Sequence, residues 1–266
     1  MAEDLKVTCI QMNMLLGETE YNFSHVQKLI EKAVQTEKSD VIVLPETWNT
    51  GFFPKENLEK LADSDGKRTL EILSQLARKY NVNIVGGSVA NRKNGNIYNT
   101  CFVVNRKGET VWEYDKIHLF SPMDEHKYFS HGIKSSVFML DNIPCGVIIC
   151  YDLRFPELAR GLALSGAEVL FVVSQWPKVR TGQMDILSKA RAVENQMYTV
   201  LCNSCACAET TVFGGNSQIV SPLGEVLVRA GEQEEIISAC LDLSVTDSIR
   251  STINVFNDRK PDLYNM

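Results

Sequence analysis

The sequence predicts a single α/β domain built as a four-layer α-β-β-α sandwich. Short apolar strand-like runs alternate with helical periods, and they fall into an early and a late group. That is the pattern of two sheets packed face to face with helices on their outer sides. Size agrees: 266 residues with 44% hydrophobic content can bury a large core within one domain spanning 1–266.

The elements follow in order. Residues 5–11 (LKVTCIQ) alternate as a strand does, residues 22–33 carry helical spacing, and residues 40–44 (DVIVL) form an apolar run ending at Pro45. The chain thus opens β-α-β. A helix over 69–80 precedes a strand over 82–89, and strands over 97–105 and 109–114 pair as a hairpin across Arg106-Lys107-Gly108. Next come a strand over 145–150, a helix over 156–164 with Pro156 in its first turn, a strand over 168–174 and a helix over 182–196. The final strands are 198–203, 216–221, 225–229 and 235–241, with Pro222-Leu223-Gly224 turning between the middle pair. No repeat, low-complexity tract or linker interrupts the pattern.

Composition excludes several functions. The net charge of -6 and pI near 5.4 come from interspersed acids and bases, so no basic stripe is offered to a phosphate backbone and nucleic acid is not a partner. The start Met1-Ala2-Glu3-Asp4-Leu5-Lys6 lacks the basic and apolar regions of a secretory signal, and no apolar run approaches the ~20 residues of a membrane span. A cytoplasmic location is expected. Eight cysteines in a chain of this length are too sparse for a disulfide scaffold, and reduced thiols are expected.

Three segments could carry chemistry. In GVIICYDLRFPE an apolar strand runs into Cys150 and then into a polar turn before a helix. The carboxyl ends of strands are where α/β sheets bind ligands, and a helix N-terminus favours a thiolate. On composition alone, the position reads first as a buried core cysteine. LPETW delivers Glu46 at the end of another apolar strand, where its carboxylate could take a proton or could simply cap a helix or join an ion pair. YDKIHLF places Lys116 at a strand end followed by an apolar turn; taken alone, it reads as an ordinary surface lysine.

Taken together, LPETWNTGF at Glu46, YDKIHLF at Lys116, CYDLRFPEL at Cys150 and ARAVENQMY over residues 190–198 resemble the nitrilase superfamily of carbon-nitrogen hydrolases, along nearly the whole chain. The resemblance implies that Cys150 is the nucleophile, Glu46 the general base and Lys116 the cation that stabilises the oxyanion. It implies a thioester intermediate, released ammonia, and no metal or organic cofactor. An ammonium beside the thiol would lower the thiol pKa, while carboxylate and ammonium compensate each other's burial. The backbone N–H of Tyr151 would be a second oxyanion donor. A second family glutamate before a glycine-ended loop matches Glu125, with Asp124 as its neighbour and His131 where the family has proline. Its expected job is to position Lys116 and the substrate.

The segment QWPKVR over residues 175–180 resembles omega-amidases, which act on the terminal amide of short 2-oxo dicarboxylic acid monoamides. Arg180 is the expected carboxylate anchor, with Arg154 as competitor and Trp176 as a cavity wall; both arginines could instead serve structural ion pairs. The implied substrate is 2-oxoglutaramate or 2-oxosuccinamate. Other branches hydrolyse N-carbamoyl amino acids or other small amides with the same trio, and an inactive homologue serving as a binding module is the non-enzymatic alternative. A papain-like protease would need a histidine partner for the thiol, and none is evident. Cys202, Cys205 and Cys207 lack a second cysteine pair or a nearby histidine, so buried or half-buried free thiols are expected and no metal site. The roles of His118, His126 and His131 stay open, and family members commonly pair, so a homodimer is expected.

Overall fold

A computed structural model describes residues 4–264. Eight strands form the first sheet: β1 (Leu5–Gln11), β2 (Val41–Val43), β3 (Asp63–Ser64), β4 (Asn83–Val85), β5 (Val89–Lys93), β6 (Asn96–Val104), β7 (Thr110–Asp115) and β16 (Glu235–Leu241). Six form the second: β8 (Phe138–Leu140), β9 (Ile143–Ile149), β10 (Val169–Ser174), β11 (Tyr198–Asn203), β14 (Gln218–Val220) and β15 (Val226–Arg229). The remaining strands, β12 (Cys207–Ala208) and β13 (Thr211–Val212), make a separate small hairpin. Among the helices, α1 (Thr19–Glu37) and α3 (Lys67–Tyr80) cover the first sheet, and α4 (Pro156–Leu164) and α5 (Thr181–Asn195) the second. The other α-helices among the described residues are the shorter α2 (Leu58–Leu61) and α6 (Ser244–Thr252).

The sequence explains the layering directly. In the central strands, alternate side chains point to opposite faces, and both faces are covered, so the strands read as unbroken apolar runs. Val41 and Val43 enter the layer between the sheets while Ile42 and Leu44 meet α1 and α3. On the other side Val169, Phe171 and Val173 face the first sheet, and Leu170 and Val172 pack with Ala159 and Leu162 of α4. Three apolar layers between four structural layers are the predicted sandwich.

In each sheet the central strands are parallel, β1 with β2 and β4, and β9 with β10 and β11. Their carboxyl ends converge: the Glu46 backbone N–H donates to the Ser174 carbonyl at 3.2 Å, joining the end of β2 to the end of β10. A cleft at such strand ends is where this class of sheet accommodates ligands.

Several elements differ from expectation. The single strand expected over 82–89 is two, because Gly86-Gly87 breaks it and β4 and β5 lie on opposite sides of β6. Gly87 has φ 62°, and a Cβ there would sit 2.1 Å from the Pro45 carbonyl. The strand expected through Cys150 ends at Ile149, since Cys150 itself turns out of the sheet. β8, α2 and α6 lie outside the expected elements, and each is short.

Candidate active site

Each chemistry-bearing side chain leaves a strand end on a backbone that bends sharply. Thr47, following Glu46, has φ 44°, a conformation that is strained for a β-branched residue; its N–H donates to Ser88 Oγ at 2.9 Å and its hydroxyl to Gln175 Oε1 at 2.7 Å. Lys116 follows β7 directly, its N–H donating to the Asn99 carbonyl at 2.9 Å and its carbonyl accepting from Gly132 at 2.8 Å. The glycine ending the loop is required by space, because a Cβ on Gly132 would stand 2.1 Å from the Asp115 carbonyl. Cys150 has φ 46° and opens a 3-10 turn over Cys150–Arg154. That turn is held by Asp152, wholly buried, which accepts from Ile149 N–H at 3.0 Å, Tyr114 Oη at 2.7 Å and the His118 N–H at 2.9 Å. His118 Nδ1 lies 2.8 Å from the same carboxylate, and its ring stacks on Phe155 with centroids 3.6 Å apart.

Lys116 is no surface residue. It is 2% exposed, and its Nζ lies 2.8 Å from Glu46 Oε1 and 3.0 and 2.9 Å from the two Glu125 oxygens. Glu46 and Glu125 are 4% and 3% exposed, so one cation and two carboxylates share a nearly dry site. Glu125 is set by the Phe120 N–H at 2.6 Å, while its neighbour Asp124 stands exposed at φ 59° and pairs with Lys127. Burial alone would pull the ammonium pKa down, but the Glu125 and Glu46 carboxylates outweigh it and hold Lys116 well above the ordinary lysine value.

The Cys150 thiol departs from expectation. Burial, reinforced by the Glu46 carboxylate, drives its pKa well above the ordinary thiol value, against the smaller opposing pull of Lys116. Charge counting explains the direction: Glu46, Glu125 and Lys116 already sum to one negative charge, and a thiolate would add a second in a medium that solvates neither. Cys150 is therefore a neutral thiol beside a carboxylate.

All eight predicted site residues meet at one cavity. It is lined by Glu46, Lys116, Glu125, Cys150, Tyr151, Arg154, Trp176 and Arg180, with Phe52, Phe53, Phe120 and Met123 supplying an apolar wall. About 500 Å³ between these walls is free of atoms, the open mouth included. Trp176 is buried and its Nε1 donates to the Arg180 carbonyl at 3.0 Å, fixing the segment that carries the arginine. Neither arginine is in an ion pair among the described residues. Arg154 reaches Gln183 Oε1 at 2.5 Å and lies 5.0 Å from the Trp176 ring, and Arg180 lies 5.5 Å from the Phe120 ring.

His118, His126 and His131 do not line this cavity. Cys202 and Cys205 are buried, Cys202 Sγ approaching the carbonyls of Ile10 and Val43 at 3.3 Å, but Cys207 on β12 is exposed, contrary to the buried or half-buried thiol expected there. No helix of the described residues is long and apolar enough to cross a membrane. Sequence reasoning missed Asn99, Gln175 and Asp152. The last two sit inside quoted motifs and were overlooked as neighbours; Asn99 is marked only as a polar residue entering an apolar strand.

Comparison with known proteins identifies the family. The profile of the carbon-nitrogen hydrolase family matches residues 6–251. The chain is 40% identical to a 2-oxoglutaramate amidase of Bacillus subtilis (strain 168), over 97% of this chain and 98% of that protein. It is 36% identical to omega-amidase NIT2-A of Xenopus laevis, over 92% and 91% of the two chains. Among solved structures, Saccharomyces cerevisiae Nit3, a member of branch 10 of the nitrilase superfamily, superposes with TM-score 0.90 at 30% identity, covering 98% of this chain and 97% of its own. With the family profile spanning most of its length and relatives aligned nearly end to end, this chain belongs to the carbon-nitrogen hydrolase family of the nitrilase superfamily.

Proposed function

We propose that this carbon-nitrogen hydrolase is an omega-amidase that removes the terminal amide of 2-oxoglutaramate or 2-oxosuccinamate, with Cys150, Glu46 and Lys116 as its catalytic residues and Glu125 positioning Lys116. One observation carries the reading: a lysine bonded to two buried glutamates shares a small cavity with a strand-end cysteine, and two arginines without carboxylate partners among the described residues line the same space. The relatives named 2-oxoglutaramate amidase and omega-amidase support the substrate class.

The cycle begins when Glu46 takes the Cys150 proton as Sγ attacks the amide carbon. The developing oxyanion is met by the Lys116 charge and by the backbone N–H of Tyr151, which lies in the first turn of the 3-10 segment, where N–H groups have no partner within the turn. Glu46 then passes its proton to the departing amine, so the C–N bond breaks with loss of neutral ammonia and leaves a thioester. A water deprotonated by Glu46 attacks that thioester, and the acid leaves as Cys150 recovers its proton. Keeping the thiol neutral between turnovers spares the site a second negative charge and makes proton transfer part of the attack. Arg180 or Arg154 grips the distal carboxylate, Trp176 walls its path, and the apolar Phe52, Phe53 and Met123 leave room for a short chain.

Ammonia release across 2-oxo amides, N-carbamoyl amino acids, simple amides and nitriles tests the reading. The 2-oxo dicarboxylic monoamides should be the best substrates, and Cys150→Ala should remain folded while losing several orders of magnitude in rate. A folded Cys150→Ala protein with near-normal turnover rejects the nucleophile; preference for nitriles or uncharged amides rejects the carboxylate anchor. We place residues 1–266 in one catalytic domain working in the cytoplasm as a homodimer. The thiols, all eight free, suit a reducing compartment. The exposed apolar side chains Val179 and Ile186, 87% and 67% exposed, suit a second copy.

A further inference from the structure

We propose that Asn99 is a positioning residue that decides which of the two glutamates can act as the base, by spending both N–H groups of its side-chain amide on the two carboxylates. The inference rests on the catalytic reading of Glu46, Lys116 and Cys150. Asn99 is wholly buried on β6, at the centre of the cluster: its carbonyl holds the Lys116 N–H at 2.9 Å, and its Nδ2 lies 2.9 Å from Glu46 Oε1 and 3.3 Å from Glu125 Oε1. It therefore touches the catalytic lysine and both acids.

Counting acceptor sites shows what this contact does. A carboxylate offers about four lone-pair directions, two on each oxygen. On Glu125 all four are taken, Oε1 by Lys116 Nζ and Asn99 Nδ2, Oε2 by Lys116 Nζ and the Phe120 N–H. On Glu46, Oε1 is filled by Lys116 Nζ and Asn99 Nδ2, while Oε2 accepts, among the described residues, only the Gln175 N–H at 2.8 Å. One lone pair in the pair of acids stays open, on Glu46 Oε2. A proton from Cys150 or from water thus has a single destination, and Glu125, though equally buried and equally close to Lys116, is closed to it. Removing the Asn99 amide opens Oε1 on both residues at once.

The amide is oriented for this task at a cost. Its Oδ1 is buried and has no hydrogen-bond partner among the described residues, an arrangement that native structures avoid without compensation. The opposite orientation would pair Oδ1 with two carboxylates and be repelled.

Asn99→Ala and Asn99→Asp, assayed with 2-oxoglutaramate alongside wild type and Cys150→Ala across about pH 6 to 9, test the assignment. Asn99→Ala should lose roughly 10- to 100-fold in kcat/KM, the worth of a hydrogen bond to a charged group, and its acid limb should move to higher pH because the carboxylates lose a donor. Asn99→Asp keeps the size but brings a third carboxylate; only its protonated form can donate, so its activity relative to wild type should rise as pH falls. A folded Asn99→Ala with wild-type kcat/KM and unmoved limbs, or an Asn99→Asp profile parallel to wild type, overturns the proposal. If Asn99→Ala does not fold, Asn99→Asp decides, and failure of both to fold makes the residue structural and overturns it as well. Cys150→Ala separates the two levels: turnover there defeats the underlying catalytic reading, whereas a dead Cys150→Ala beside normal Asn99 variants defeats this inference alone.

Discussion

Arg154 and Arg180 differ in how much of their hydrogen-bonding capacity the protein already uses. Arg154 donates to Gln183, whereas the Arg180 guanidinium, over the Phe120 ring, makes no side-chain hydrogen bond among the described residues. Arg180 is therefore the freer fork for a bidentate carboxylate, and its backbone is held by Trp176. Arg180→Met should raise KM for 2-oxoglutaramate by roughly 10-fold or more with little change in thermal midpoint, and Arg154→Met should do less. Equal KM values for Arg180→Met and wild type, in a steady-state ammonia assay, would remove the anchor from Arg180. At this scale the motifs made Glu46, Lys116, Cys150 and Glu125 legible, because each lies in a contiguous string with its own turn. The protonation state of Cys150 was not legible. It depends on the net charge of a cluster assembled from four distant segments, and reading the Lys116 and Cys150 strings together pointed the wrong way.

Between residue and molecule, the elements act as brackets that place strand ends. The Gly86-Gly87 break shows the principle: it lets the backbone after β4 pass close to Pro45 and lets Trp48 Nε1 donate to the Gly86 carbonyl at 2.7 Å. The Gly87 N–H is held by Val85, and Ser88, next along, reaches both Pro45 and Thr47. Gly87→Ala would force a left-handed conformation, costing about 1–2 kcal/mol, and press its methyl into the Pro45 carbonyl. The expected outcome is a lowered thermal midpoint and a larger loss in kcat than that midpoint explains at assay temperature, since the segment displaced carries Glu46. Full kcat in a destabilised Gly87→Ala protein would show that Glu46 does not depend on this bracket. Unbroken apolar runs located β1 and β11, strand-like spacing located the partly exposed edge strand β16, and the buried stripe of Ala159, Leu162 and Ala163 located α4, each to the residue. Short edge elements such as β8 and β3 escaped, since two or three residues hold no period to read.

The whole molecule carries an alkaline weakness that follows from where its thiols and its lysine lie. Cys101, Cys145 and Cys202 sit in the layer between the two sheets, and burial pushes each thiol well above its ordinary value. Cys205 is pushed up to about 12 by burial, and Cys150 is raised for the reasons already given. In each case the folded state keeps a proton that the unfolded chain releases above about pH 9. The unfolded state therefore binds fewer protons in that window, and stability, fully present below it, must fall as pH rises, by up to about 1.4 kcal/mol per thiol per pH unit. Lys116 adds in the same direction above its ordinary value of 10.5, because its raised pKa keeps folding linked to a proton the free side chain would shed. Thermal midpoints measured from neutral pH into the alkaline range should stay level to about pH 8.5 and then fall steeply well before tyrosine ionisation dominates. A Cys101→Ala/Cys145→Ala variant, less stable at neutral pH because of its cavities, should show a shallower alkaline slope than wild type, since two of the linked protons are gone. Parallel slopes for the two proteins would mean that Cys101 and Cys145 are not a source of the weakness.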